Sequence, residues 1–119
     1  MPAKKPVAVI IRRSPLNSVL AAEGLRQAVG LTLSDNQVNV YLSGEAAWLA
    51  VPLAPQVVGG EPISKHLEAL SMLGARVVVE VESLEKRRLG KADLRPSIEA
   101  LGRQALAQEL AQAEAAYAF

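Results

Sequence analysis

The stretch at residues 7–11 constrains the fold of this chain most. It is a continuous apolar run, Val-Ala-Val-Ile-Ile, and it stops abruptly at Arg12 and Arg13. Strands that are buried on both faces have such runs, and they belong to parallel sheets. An apolar stripe with helical spacing follows at residues 25–33, which predicts a helix that ends near residue 34. The beginning of the chain is therefore typical of an α/β protein.

The same alternation continues to the last residue. Further strands are predicted at 38–43, 76–81, 98–101 and 115–119, and further helices at 45–50, 63–73, 83–88 and 103–113. Alternating strands and helices give a parallel sheet between two helix layers, with right-handed crossovers. We therefore expect a single domain over residues 1–119, with a three-layer α/β/α fold and a mostly parallel five-stranded sheet. The alanines of 115–119 also favour a helix, but we prefer a strand because the alternating order requires one.

Polar residues and glycines set the predicted ends of the helices. Side-chain oxygens that can cap a first turn are present at Asn17, Ser18, Ser64 and Ser83. Such an oxygen accepts a hydrogen bond from a free N–H group of the first turn. Gly74 and Gly90 are placed to end helices, because glycine readily adopts the left-handed conformation found there.

The segment at residues 51–62 is predicted to be an irregular loop. It contains three prolines and a pair of glycines, which exclude a regular helix. A loop of this length in a small domain is usually functional or forms a packing surface. Leu53, Val57 and Val58 would be costly to leave in water, and a partner subunit could cover them.

The composition excludes several classes of function. The sequence has no cysteine and one histidine, which excludes disulfides, thiolate metal sites and cysteine nucleophiles and argues against a histidine-rich metal site. The net charge is +1, so no overall field favours nucleic acid or an anionic membrane. The apolar runs are too short for a signal peptide or a membrane span. We therefore expect a cytoplasmic protein without a cofactor that binds neither nucleic acid nor membrane.

Polar residues gather at the carboxyl edge of the predicted sheet, where α/β proteins bind ligands. The candidate ligand-binding residues are Arg12, Arg13, Ser14 and Asn17 after the first strand, Ser43 and Gly44 after the second, and Glu80 and Ser83 near the end of the third. Arginines beside a helix N-terminus form a good anion site. The alternative is that the turn is polar because it ends a strand, with solvated arginines. No glycine-rich phosphate loop strengthens the case for an anion.

Three further features each have a functional and a structural interpretation. Glu80 and Glu82 are two residues apart on a predicted strand and would point the same way, either as an acid–base or cation pair or as exposed charges. His66 could act as a general base, or it lies at the surface or an interface. Trp48 could stack on a ligand, or it packs the short helix or a subunit interface. We favour the structural interpretation of each.

Several segments occur in an order and at a spacing that one known family shares. They are the strand 7–11, Glu23-Gly24-Leu25 in the helix before the strand 38–43, Gly44-Glu45-Ala46-Ala47-Trp48-Leu49, the helix, glycine and valine-rich strand of 67–79, Ser83 with Arg87, and the ending 113–119. Together they resemble the DsrE/DsrF-like family of small α/β proteins, which includes subunits of bacterial sulfur-relay complexes. The resemblance covers nearly the whole chain.

The resemblance implies a fold, an assembly and a departure from the family's chemistry. It implies a five-stranded sheet with the first strand at its centre, and symmetric trimers or hexamers with paralogous subunits as further partners. Active members carry persulfide sulfur on a cysteine just after the valine-rich strand, and that position here is Glu80. A carboxylate cannot hold a persulfide or exchange thiols. The chain therefore resembles the relay subunits that lack the carrier cysteine and contribute structure, or a family member repurposed for another ligand.

Three hypotheses of function follow. The first is a non-catalytic, oligomeric DsrE/DsrF-like protein, an accessory or scaffold subunit related to intracellular sulfur transfer. The second is a module that binds a small anion or a nucleotide at the carboxyl edge of the sheet. The third is an enzyme that uses Glu80 or Glu82 with His66, and we rank it last because the spacing assembles no set of nucleophile, base and orienting group.

Overall fold

The chain alternates between strands and helices. The computed structural model describes residues 6–14, 20–52 and 61–119. The strands are β1 Pro6–Ile11, β2 Gln37–Leu42, β3 Arg76–Glu80, β4 Ile98–Leu101 and β5 Ala115–Ala118. The helices are α1 Leu20–Leu33, α2 Glu61–Met72, α3 Val81–Lys86 and α4 Arg103–Ala111, and short 3-10 helices span Gly44–Ala50 and Lys91–Asp93. None of the helices in these ranges is long and apolar enough to cross a membrane.

The strands form one parallel sheet in the order β4-β3-β2-β1-β5. The predicted α/β class and the five-stranded sheet are therefore confirmed. β2 lies at the centre, where Val40 is paired with Val9 of β1 on one side and with Val77 of β3 on the other. The expectation that the first strand is central is wrong, because β4 extends the sheet beyond β3 whereas β5 alone lies beyond β1.

One face of the sheet carries the larger part of the core. Val9 and Ile11 of β1 and Val40 and Leu42 of β2 are fully buried there, in a cluster with residues of α1, α2, α3 and the first 3-10 helix. Each such side chain contributes about 1.5–3 kcal/mol of transfer free energy. A Cβ on Gly24 would lie 2.9 Å from Ile11 Cγ1, so α1 approaches β1 as closely as glycine permits.

The opposite face has a thinner cover. Ala8, Tyr41 and Val78 point to this face, and in the described part of the chain α4 is the helix that packs on them. Leu106 is the buried residue of α4, with 6% of its surface exposed. The three-layer arrangement is confirmed, but one short helix forms most of the second layer. This leaves room beside α4 for a cleft.

The end of the third strand differs from its prediction. Val81 and Glu82 belong to α3, and Glu80 occupies the N-cap position of that helix. Ser83 is therefore not the cap that was predicted. Its side chain turns inward and donates a hydrogen bond to Glu80 Oε1. Val81 is β-branched and continues the pattern of the strand. The sequence therefore gives no sign that the strand ends one residue earlier, at Glu80.

Other predicted helix ends are partly confirmed. Gly74, with a φ of 82°, follows α2 in the left-handed conformation as predicted. Ser64 lies inside α2, which already begins at Glu61, because a proline is tolerated in the first turn of a helix. Gly90 is not the left-handed residue after α3, since Arg88 adopts that conformation with a φ of 56°. The predictions for Asn17, Ser18, Leu53, Val57 and Val58 lie outside the described residues.

Candidate functional site

A cleft opens between α4 and the carboxyl ends of the strands, with a volume of about 380 Å³. Its lining residues are Ile10, Arg12, Tyr41, Ser43, Glu80, Arg103, Leu106, Ala107, Leu110 and Ala118. Alternate residues of a strand point to the same face. Ile10 with Arg12, and Tyr41 with Ser43, therefore belong to the face that α4 covers. We call this space the α4 cleft.

Glu80 lies in the wall of the α4 cleft at the end of β3, with 9% of its surface exposed. Its Oε1 accepts a hydrogen bond of 2.6 Å from Ser83 Oγ, and Arg103 Nε lies 3.4 Å from its Oε2. Ser83 Oγ in turn accepts a hydrogen bond of 2.9 Å from the N–H of Gly44. A buried carboxylate is stable only with such partners. The network therefore fixes Glu80 and joins the ends of β2, β3 and β4.

Arg103 is a site residue that was not predicted from the sequence. Its hydrogen bond to Glu80 raises the pKa of the Arg103 guanidinium. Its backbone N–H donates to Glu82 Oε1 at 2.8 Å, so Glu82 caps the start of α4. The predicted pairing of Glu80 and Glu82 on one strand is wrong, because Glu82 lies in α3. A signal for Arg103 was present, since Gly102-Arg103 follows β4 and parallel strands end at one edge.

The predicted turn after β1 is only partly assembled into the cleft. Arg12 lines the cleft, is exposed, and its guanidinium forms no hydrogen bond or ion pair with another described residue. Arg13 is exposed and Ser14 is buried, and neither lines the cleft. Asn17 lies outside the described residues. In the described part of the chain, Arg103 is the arginine that forms the ion pair with Glu80.

The comparisons with known proteins agree with the fold. The model of the DsrE/DsrF-like family matches residues 5–119. The chain belongs to the DsrE/DsrF-like family. Its fold is similar to that of the YchN protein of E. coli, with 21% sequence identity, a TM-score of 0.81, and coverage of 98% of this chain and 100% of that one. Protein MTH1491 of Methanobacterium thermoautotrophicum, of unknown function, has 13% identity, a TM-score of 0.69 and the same coverage. A search among curated proteins gives no match.

This DsrE/DsrF-like chain has no carrier cysteine. The valine-rich strand β3 ends in Glu80, and no cysteine occurs anywhere in the sequence. Both oxygens of the Glu80 carboxylate already have partners in Ser83 and Arg103. The family membership points to sulfur relay at most, and the side chain at this position offers no thiol for it.

His66 and Trp48 do not take part in the α4 cleft. His66 is half-buried in α2, which contributes to the core on the other face of the sheet. Trp48 is half-buried in the first 3-10 helix. Neither residue lines the cleft. The structure therefore does not bring His66 together with Glu80 or Glu82 as the third hypothesis requires.

A second polar network fixes α4 on the sheet below the cleft. Tyr41 Oη donates to Glu109 Oε1 at 2.8 Å, and Arg76 donates to the same oxygen at 2.8 Å and to Glu99 at 2.7 Å. Burial, and then the contact with Glu109, raise the pKa of Tyr41 to about 12. The hydrogen bond from Arg76 lowers the pKa of Glu109. Nothing in the sequence pairs residues 41 and 109, because only the fold brings them together.

Proposed function

We propose that this protein is a non-catalytic accessory or scaffold subunit related to intracellular sulfur transfer. In this proposal residues 1–119 form a single domain that works as a homo-oligomer, a trimer or hexamer, in the cytoplasm, and paralogous subunits are further partners. The observation that carries the proposal is the set of partners that the Glu80 side chain already has. A carboxylate held by Ser83 and Arg103 lies where the family resemblance places the carrier cysteine.

The contacts of Glu80 support a structural role for it in the proposed subunit. A sulfur carrier must expose a thiolate that can attack and leave. Glu80 is instead buried, accepts a short hydrogen bond from Ser83 and is balanced by Arg103. These contacts keep the ends of the strands together. We infer that the subunit contributes shape at this edge of the sheet while a cysteine-bearing partner performs the transfer.

The exposed apolar surface supports the proposed assembly. β5 is an edge strand, and its Tyr117 is 47% exposed. Leu33 at the end of α1 and Met72 at the end of α2 are 69% and 87% exposed. Apolar edge strands are usually covered, because their free N–H and C=O groups pair with other chains. A second copy of the chain that packs on β5 would satisfy this requirement.

Sedimentation velocity at micromolar concentration tests the assembly. We expect a single oligomeric species for the wild type. Tyr117→Lys places a charge on the exposed edge strand and should weaken the oligomer, whereas Ala105→Lys, at an exposed position of α4, should leave it intact. A clean monomer of the wild-type protein would contradict the proposal.

A second function, the binding of a small anion or nucleotide, is supported by one specific observation. The guanidinium of Arg12 has no partner among the described residues, although Arg12 lines a cleft. Thermal unfolding with a panel of nucleotides and oxyanions tests this function. We expect stabilisation that Arg12→Gln removes and that Arg13→Gln, at the neighbouring exposed arginine outside the cleft, retains. No stabilisation of the wild type by any compound would contradict it.

A further inference from the structure

The α4 cleft has one apolar side. Ile10 and Ala118 of the sheet face Leu106, Ala107 and Leu110 of α4 across it. Ala107 and Ala118 are exposed, and Ile10 and Leu110 are half-buried. An apolar group that enters this space would remove their surface from water, which is favourable in proportion to the area covered.

The mouth of the cleft is polar and carries a net positive charge. Arg103 is balanced by Glu80 through their ion pair, with 3.4 Å between Nε and Oε2. Arg12 has no such partner among the described residues, so the lining charges sum to one excess cation. Ser43 lies beside it at the end of β2 and lines the same space. One unpaired guanidinium next to a hydroxyl is suited to one carboxylate.

The volume of the cleft limits the size of its occupant. A space of about 380 Å³ lies near the lower end of the range for small-molecule sites, roughly 300–1,000 Å³. A nucleotide brings a multiply charged phosphate, which one excess cation matches poorly. The lining contains one aromatic residue, Tyr41, which lies in the sheet with 1% of its surface exposed and cannot form a stacking platform for a base.

We propose that the α4 cleft binds a small amphipathic monoanion, a carboxylate on an apolar body of medium-chain length. The carboxylate binds Arg12 and Ser43 at the mouth, and the apolar body lies between Ile10, Leu106 and Ala118. The proposal rests on the second function above, ligand binding at this edge, and names the ligand class for it. It is independent of the accessory role in sulfur transfer.

A titration with matched probes tests the ligand class. Octanoate has the proposed chemistry, 1-octanol lacks its charge, and butyrate lacks its apolar length. Two-dimensional 15N–1H NMR spectra of the full chain report which residues are affected. We expect octanoate to shift the amide signals of Ala107 and Ala118 with a Kd on the order of 1 mM, and the other two probes to bind at least several-fold more weakly.

Two variants separate the two parts of the site. Arg12→Gln removes the charge and should weaken octanoate about fivefold, the usual limit for an exposed ion pair. Ala107→Leu fills the apolar side of the cleft and should also weaken the binding of octanoate. The variant should still fold, because Ala107 is exposed on a helix. Arg13→Gln and Ala105→Leu are the matched controls outside the lining, and they should bind octanoate as the wild type does.

The possible outcomes are distinct. Equal binding of octanoate and 1-octanol, or of octanoate and butyrate, would overturn the amphipathic class, as would octanoate shifts that are unchanged by both cleft variants. Inorganic phosphate and adenosine monophosphate are added as a separate arm. If they bind in an Arg12-dependent way and octanoate does not, ligand binding stands and the proposed class falls. If no probe shifts the cleft signals, both fall.

Discussion

Leu106→Ala tests whether one buried side chain holds α4 on its face of the sheet. Leu106 is 6% exposed and clusters with Ala8, Tyr41 and Val78. In the described part of the chain it is the buried residue of α4. Alanine has the higher helix propensity, so any loss of stability must come from lost packing and not from the helix itself.

The expected loss is that of a buried leucine at the border of an open space. Leu106→Ala removes three buried carbon groups. Their transfer free energy is roughly 2.4 kcal/mol, at about 0.8 kcal/mol for each. Because Leu106 borders the α4 cleft, water can enter the vacated volume and the cavity adds little. We therefore expect a fall of about 2–3 kcal/mol in the free energy of unfolding. For a chain of this length that is about 10 °C in melting temperature.

Urea unfolding followed by circular dichroism measures this loss at one fixed subunit concentration, since assembly would change the apparent stability. Gln108→Ala is the matched control, because Gln108 is exposed on the same helix and its truncation should change stability by less than about 0.5 kcal/mol. If Leu106→Ala and Gln108→Ala have the same effect, α4 is not held on the sheet by its buried face, and the expected loss is contradicted.

Three further changes test the polar networks. Because the hydrogen bond from Arg76 lowers the pKa of Glu109, the wild type should lose stability as the pH falls through that pKa. The urea midpoint of Glu109→Gln should not show this decrease. The pKa of Tyr41 is raised from 10.0 to about 12. The stability that the protonated Tyr41 contributes is therefore complete below pH 10.0 and is lost as the pH rises toward 12. The free energy of unfolding of Tyr41→Phe should not fall in this pH range. Ser83→Ala removes the donor to buried Glu80 and should cost about 1–3 kcal/mol in urea unfolding. Ser71→Ala, at an exposed serine of α2, should be neutral, and equal values for the two serines would contradict the network.

Much of the fold could be predicted from local patterns. The apolar β-branched runs at β1 and β3 predicted those two strands, because such runs are typical of strands buried on both faces, and turn residues on both sides indicated β2. The alternating order of strands and helices then predicted a strand at 115–119, although the alanines there favour a helix locally. β3 was predicted one residue too long, since Val81 continues the pattern of the strand while the chain already turns into α3.

The candidate site could be predicted only in part. The rule that parallel strands end at one edge predicted that Arg12, Ser43 and Glu80 lie close together, and all three line the α4 cleft. Arg103 was missed because it was assigned to a helix, although that helix starts at the same edge. The hydrogen bond between Tyr41 and Glu109 joins residues far apart in the sequence. Such contacts depend on which face α4 covers, and no local pattern contains that information.

Native mass spectrometry of the protein purified from its own source tests the proposed accessory role most directly. One spectrum reports the number of copies, any other subunits and any retained ligand. We predict a trimer or hexamer, and complexes that also contain cysteine-bearing subunits of the same family. A monomer at micromolar concentration, without a partner subunit, would contradict the proposal.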